Sequence, residues 1–131
     1  MASIEHSIDL DAPADDVWRA ISDDYLLGEW LAAEVELDPR PGGALCCRTE
    51  DGEERIGSVE LVEEGERIAF NWQRDGMALS RVELRLLDLD RGTRLTVVET
   101  GLHEAVGPQA SLRWSKRFES LRLAMASLAY A

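Results

Sequence analysis

The sequence predicts a single α+β domain in which an antiparallel sheet packs against a long C-terminal helix. Three features support this fold class: an alternating N-terminal segment, a series of strand-like runs between residues 33 and 102, and an amphipathic stretch near the end. A chain of 131 residues can bury a substantial core in one domain. The sequence contains no repeat, low-complexity tract or linker, so residues 1–131 are predicted to form one domain.

The chain is predicted to begin with a strand and two short helices. Alternation in SIEHSIDLDA predicts a strand with one buried face, which includes His6. Pro13 suits the first turn of a helix, because its missing N–H group costs nothing there. The residues at 22–24, Ser-Asp-Asp, should end this helix and supply the N-cap of a second one. The second helix would end near Trp30.

Six further strands are predicted after the two short helices. A short strand at 33–37 precedes a Pro/Gly turn at 39–43. Turn signals then separate five strand-like runs, which favours an antiparallel meander. These runs read ALCCRTE, RIGSVELVEE, RIAFNWQ, LSRVELRLLDL and TRLTVVETGL.

A long amphipathic helix is predicted after Gly107-Pro108. Apolar residues recur there mostly at steps of three or four, while basic residues occupy the other faces. The predicted apolar stripe consists of Leu112, Trp114, Phe118, Leu121, Met125 and Leu128.

The charge of the chain excludes some classes of partner. The net charge is −12, so a nucleic-acid backbone would be repelled. The charge is uneven, because residues 105–131 carry four basic side chains and one acidic one, a basic element against an acidic body. No segment has the composition of a membrane span or signal peptide, and a reducing cytoplasm is the expected location.

The order of elements resembles that of the START-like (SRPBCC) superfamily, and within it the family named after the C-terminal domain of the activator of the Hsp90 ATPase. The resemblance rests on APADDVWRAISDDYLLGEWL, PRPGGAL, GSVELVEEGERIAFNW, GTRLTVVETGL and Trp114, and covers nearly the whole chain. It implies a helix-grip fold, with a curved seven-stranded antiparallel sheet around the C-terminal helix and a cavity between them. The two short helices would then bend around the open edge of the sheet, and Trp30 would line or plug one mouth of the cavity.

The inner faces of the sheet and helix supply the candidate ligand-binding residues. Strand alternation places Phe70 and Trp72 on one face, and the aromatic residues of the helix should face the sheet. Such aromatic residues serve equally well as core. The candidates are Trp30, Cys47, Phe70, Trp72, Leu84, Val97, Glu99, Trp114 and Phe118.

Glu99 is the candidate with acid/base chemistry. It shares a strand face with Val97 and would point a carboxylate into an apolar cleft, where a buried acid needs a partner. The alternative is a position near the strand end, reaching water or arginine. His6, His103 and Arg48 are the groups that could assist it.

The two cysteines do not indicate a metal site. Cys46 and Cys47 are adjacent, so strand geometry points their thiols to opposite faces, and they cannot chelate one ion. We expect Leu45 and Cys47 to point inward and Cys46 outward. No cofactor, metal or catalytic residue is predicted.

The sequence is compatible with three functions. The leading one is a non-enzymatic protein that holds a small hydrophobic or aromatic molecule in a sheet–helix cavity. The second is an enzyme similar to polyketide cyclases and aromatases, with Glu99 as acid/base. The third is a co-chaperone-like interaction module, as the family name implies. A homodimer is left open, and neither nucleic acid nor membrane is expected as a partner.

Overall fold

The computed structural model describes residues 2–74 and 77–129, and the side chains of 127–129 are not described. The predicted turn residues Asp75 and Gly76 and the side chain of Leu128 lie outside this part. The observed order is a strand, two short helices, six strands and a long helix, which confirms the predicted α+β helix-grip fold. The elements are β1 (Ala2–Leu10), α1 (Ala14–Ser22), α2 (Asp24–Leu27), β2 (Glu34–Leu37), β3 (Ala44–Arg48), β4 (Glu54–Glu63), β5 (Arg67–Arg74), β6 (Ser80–Asp88), β7 (Thr93–Leu102) and α3 (Gly107–Ala129).

The seven strands form one antiparallel sheet in the order β1-β7-β6-β5-β4-β3-β2. The meander β2 to β7 follows the chain, and β1 completes the sheet beside β7. The register shifts between Val59 and Leu61 on β4, and such irregularities bend a strand.

The two short helices are joined by a capped turn. α1 begins at Ala14, so Pro13 occupies the N-cap position rather than the first helical one. Asp23 caps α2, as predicted, because Oδ1 accepts hydrogen bonds from the N–H groups of Tyr25 and Leu26 at 2.9 and 3.2 Å. Trp30 Nε1 donates to the carbonyl oxygen of Ala20 at 2.9 Å, which ties the end of the second segment back to the first helix.

The C-terminal helix contributes one buried stripe to the core. Trp114, Phe118, Leu121 and Met125 are buried at steps of four, three and four residues. Leu112 is 57% exposed, so its predicted place on this stripe is wrong. The reason is angular, because Leu112 lies two residues before Trp114 and so points to a different side of the helix. Within the described residues, no helix is long and apolar enough to span a membrane.

Candidate functional site

Aromatic rings fill the middle of the space between the sheet and α3. Trp72 of β5 stacks on Trp114 of α3 with ring centroids 6.0 Å apart, and Phe70 meets Trp72 edge-on at 5.4 Å. Trp30 lies 6.2 Å from Phe118, centroid to centroid. All five rings are buried. They form a continuous aromatic cluster that holds the helix against the sheet.

Glu99 of β7 lies buried at the edge of this cluster. Its Oε2 accepts hydrogen bonds from Trp72 Nε1 at 2.9 Å and Ser80 Oγ at 2.7 Å. Its Oε1 accepts one from Trp114 Nε1 at 2.8 Å. Of the two positions open to Glu99 from the sequence, the structure has the inward one, and indole and hydroxyl groups take the place of water or arginine. Three donors from three elements therefore fix this carboxylate.

A cavity of about 280 Å³ opens beside Glu99. It lies between the ends of β5, β6 and β7 and the first turns of α3. Trp72, Ser80 and Glu99 form its polar and aromatic side. Its apolar side consists of Met77, Ala78, Leu102, Val106 and Ala110.

Three arginines at the cavity share one carboxylate. Glu53 Oε1 lies 3.0 Å from Arg55 Nε, and Glu53 Oε2 lies 2.9 Å from Arg74 Nη1. Arg113 of α3 approaches the same carboxylate, with Nη1 3.6 Å from Oε1. Arg55 is buried, and its guanidinium carbon lies 4.3 Å from the centroid of the Trp72 ring. Cation–π contact thus adds to the ion pair in holding Arg55.

Arg117 of α3 is the fourth arginine at the cavity. Its guanidinium carbon lies 4.7 Å from the ring centroid of Trp114 and 5.2 Å from that of Trp72. Its Nε donates to the carbonyl oxygen of Leu31 at 3.1 Å. Burial, with the charge of Arg55, lowers the pKa of Arg117 to about 10, although the Glu99 charge opposes this shift. Arg117 is therefore held by two indole rings and one backbone carbonyl group.

The cysteines occupy the two faces of β3, as predicted. Cys47 and Leu45 are buried and Cys46 is exposed. Burial raises the pKa of the Cys47 thiol to about 11, and the nearby charges of Arg55 and Arg117 offset only part of this rise. Cys47 is therefore a protonated thiol at neutral pH, which is the poorly nucleophilic form.

The predicted ligand-binding residues divide into three groups. Trp72 and Glu99 line the cavity. Trp30 instead lines two surface clefts beside α3, and Cys47 lines a cleft near β2 and β3. The other five belong to the buried core around the cavity: Phe70, Leu84, Val97, Trp114 and Phe118.

The groups expected to assist Glu99 are dispersed. His6 Nε2 lies 2.6 Å from Ser111 Oγ and links β1 to α3. Arg48 pairs with Glu54 at 2.6 Å on the outside of β3. His103 lines the cavity, and its Nδ1 accepts from the N–H of Ala105 at 3.1 Å. Within the described part of the chain, no group of three His, Cys, Asp or Glu side chains could hold a metal ion.

The four cavity arginines were absent from the sequence-based candidates. Two of them, Arg113 and Arg117, are four residues apart on α3, which places them on one side of the helix. That spacing, together with the positive balance of residues 105–131, is a signal that could have identified them. The sequence gives no such signal for Arg55. In the alternation of β4, the apolar Ile56 is the residue expected to point inward, and its neighbour Arg55 would then point outward.

Comparison with family models identifies one match. The model described as "Activator of Hsp90 ATPase homolog 1-like protein" matches residues 11–126. No curated protein matches the sequence at a significant level.

Solved structures share the fold over almost the whole chain. Protein MLL2253 from Mesorhizobium loti superposes with a TM-score of 0.90 at 20% identity, covering 96% of this chain and 98% of its own. CalU16 from Micromonospora echinospora has a TM-score of 0.83 at 27% identity, with 94% and 73% covered. DynU16, a protein of the dynemicin biosynthetic locus, has a TM-score of 0.86 at 22% identity, with 95% of this chain and 47% of DynU16 covered. The chain thus corresponds to about half of DynU16.

Proposed function

The chain belongs to the family of activator of Hsp90 ATPase homolog 1-like proteins, in the START-like superfamily, and we propose that it is a binding protein for one small hydrophobic or aromatic molecule. The site is the cavity between the ends of β5–β7 and the start of α3. The single observation that carries this proposal is that space remains there, beside an otherwise filled aromatic core. Concave sites with apolar walls and a few polar groups are the usual places for small ligands.

The volume of the cavity limits the size of the ligand that it can hold. Its volume of about 280 Å³ lies just below the usual range of roughly 300–1,000 Å³ for ligand pockets. At about 30 Å³ for each water molecule, it would hold roughly nine waters. We therefore propose a molecule of one or two rings, rather than a long lipid chain.

Binding is a better proposal than catalysis because of the state of Glu99. A cyclase would need this carboxylate to exchange a proton with a substrate. Its two oxygens already accept three hydrogen bonds, of the roughly four that a carboxylate can accept. Two of the donors are indole N–H groups, which cannot accept a proton in return. These contacts favour a fixed, structural acceptor in the wall of a binding site.

A ligand screen with a cavity-filling variant tests the proposal. Native mass spectrometry and thermal shift would be measured with indole, naphthalene, 2-naphthol and 2-naphthoate. We expect a 1:1 complex with at least one probe, and ligand at 100 times its Kd should stabilise the fold by about 2.7 kcal/mol. Ala110→Phe should abolish binding, because Ala110 lines the cavity.

Ala126→Phe is the matched control, since Ala126 is exposed on the same helix. This variant should bind as the parent does. Binding that persists in Ala110→Phe, or an absence of binding by every probe, would overturn the proposed function.

A further inference from the structure

The charge of the cavity is opposite to that of the protein. The chain has a net charge of −12. The described residues that line the cavity nevertheless include four arginines (Arg55, Arg74, Arg113 and Arg117) and a single acidic residue, Glu99. A positive recess in an acidic surface concentrates small anions and excludes cations.

The carboxylates at this site are too few for the arginines. Glu53 is the ion-pair partner of three of them, Arg55, Arg74 and Arg113. Arg117 has no carboxylate within 4.0 Å among the described residues, and the oxygens of Glu99 are held by Trp72, Ser80 and Trp114. Four guanidinium groups therefore face two carboxylates, and a charge held away from water without a partner is unfavourable. Burial and the neighbouring charge of Arg55 also lower the pKa of Arg117.

Two of the arginines have N–H groups that make no hydrogen bond within the described part of the protein. Arg55 uses Nε on Glu53, and Arg117 uses Nε on the carbonyl of Leu31. In the described part of the chain, their terminal nitrogens make no hydrogen bond to protein, yet no fully buried side-chain nitrogen or oxygen lacks a partner there. Those nitrogens must therefore reach open space, and both arginines line the cavity.

We propose that the ligand is a small aromatic acid, an organic anion whose carboxylate is held by Arg55 and Arg117. This inference rests on the proposed function and names the class of its ligand. Planar guanidinium groups match a carboxylate through paired N–H donors. The apolar part of the ligand would lie against Leu102, Val106 and Ala110, which also line the cavity.

Matched acids and amides separate the contribution of the ligand's charge to binding from the contribution of its ring. Isothermal titration calorimetry would compare benzoate and 2-naphthoate with benzamide and 2-naphthamide, which have the same rings and no charge. We expect each acid to bind at least about tenfold more tightly than its amide at low ionic strength. The advantage should shrink in 0.5 M NaCl, because salt screens the part of the attraction that reaches solvent.

Arginine variants locate the anion. Arg117→Gln and Arg55→Gln should each remove most of the preference for acid over amide, with the fold checked by circular dichroism. Arg122→Gln is the control, since Arg122 is exposed on α3 and lines none of the cavities described above. It should keep the preference.

Each outcome has a distinct meaning. Amides that bind as tightly as acids would overturn the anionic ligand and leave the proposed function standing. Equal binding of acetate or inorganic phosphate would indicate a simple anion site and overturn the aromatic acid. Failure of every acid and amide to bind would overturn the aromatic acid, and failure of indole, naphthalene and 2-naphthol as well would remove both proposals. The comparison of acid with amide uses the unmodified protein, so the inference is testable even if the arginine variants fail to fold.

Discussion

Trp114 and Glu99 are joined by a hydrogen bond of 2.8 Å from Nε1 to Oε1, which links the C-terminal helix to strand β7 from inside the protein. Both residues are buried. Trp72 of β5 donates to the other oxygen of the same carboxylate. One acidic side chain therefore contributes both to the wall of the cavity and to the attachment of the helix.

Replacing Glu99 with glutamine should destabilise the fold. An amide has one acceptor oxygen and one NH₂ donor, whereas two indole N–H groups donate to opposite oxygens of Glu99. One indole would then face another donor. We expect Glu99→Gln to lower the free energy of unfolding by about 2 kcal/mol, measured by urea denaturation with tryptophan fluorescence. Glu119→Gln, at an exposed position of α3, should change it by less than about 0.5 kcal/mol, and equal losses in the two variants would contradict this role for Glu99.

The two cysteines should differ sharply in reactivity. At pH 8, a thiol with a pKa of about 11 is thiolate in about one molecule per thousand, and Cys47 is also shielded from solvent. We expect iodoacetamide to label one thiol per native chain, identified as Cys46 by peptide mass spectrometry, and both thiols in guanidinium chloride. Cys46→Ser should make the native protein unreactive. Rapid labelling of native Cys47 would show that β3 opens readily.

The cluster around Glu53 should make stability depend on pH. Burial alone would raise the pKa of Glu53, but hydrogen bonds from Arg74 and Arg55 outweigh it and hold the pKa below its usual 4.5. The folded chain thus binds this proton more weakly than the unfolded chain does. The stabilisation is complete above pH 4.5 and is lost as the pH falls through the lower, folded value.

We therefore expect Glu53→Gln to cost about 1 kcal/mol at pH 6 and progressively less toward pH 3, measured by urea denaturation at each pH. Glu50→Gln is the control, because Glu50 is exposed in the same loop. Its effect should be small and independent of pH. A cost for Glu53→Gln that stays constant down to pH 3 would contradict the ion-pair explanation.

The order of elements could be predicted from the sequence, whereas the arginine lining of the cavity could not. Alternation and turn residues are local signals, and they located all seven strands and three helices. The face that a strand buries also depends on its neighbours. Ile56 is 61% exposed because it pairs with Cys46 and Gln73, which lie on the outer face, while Arg55 pairs with the buried Cys47. The register between two strands cannot be predicted from the sequence of either strand alone.

The partners of Glu99 illustrate the same limit. Strand alternation placed it on the same face as Val97 but left open whether it points inward, and its donors come from β5, β6 and α3, between 15 and 27 residues away along the chain. No spacing rule connects those positions. Only the three-dimensional arrangement brings one carboxylate to two indoles and a hydroxyl.

The packing of β4 on β5 should be intolerant of any side chain at Gly57. Gly57 pairs with Trp72, whose indole forms part of the cavity wall. A Cβ atom at Gly57 would lie 2.8 Å from Cα of Trp72 and nearer still to the carbonyl oxygen of Asn71. These are backbone atoms of the neighbouring strand, so they cannot move aside without breaking the ladder. We expect Gly57→Ala to lower the free energy of unfolding by about 3 kcal/mol or more.

Gly52→Ala separates this close approach from the ordinary strain of replacing a glycine. Gly52 has φ of +87°, but a Cβ atom there would meet nothing within 4 Å. Alanine at this position would therefore cost only the strain of its left-handed backbone conformation, about 1 kcal/mol of the free energy of unfolding. Urea denaturation of both variants would show a clearly larger loss for Gly57→Ala, together with a shift in tryptophan emission as Trp72 moves. Equal losses, or an unchanged emission spectrum in Gly57→Ala, would mean that β4 can withdraw from β5 without disturbing the cavity.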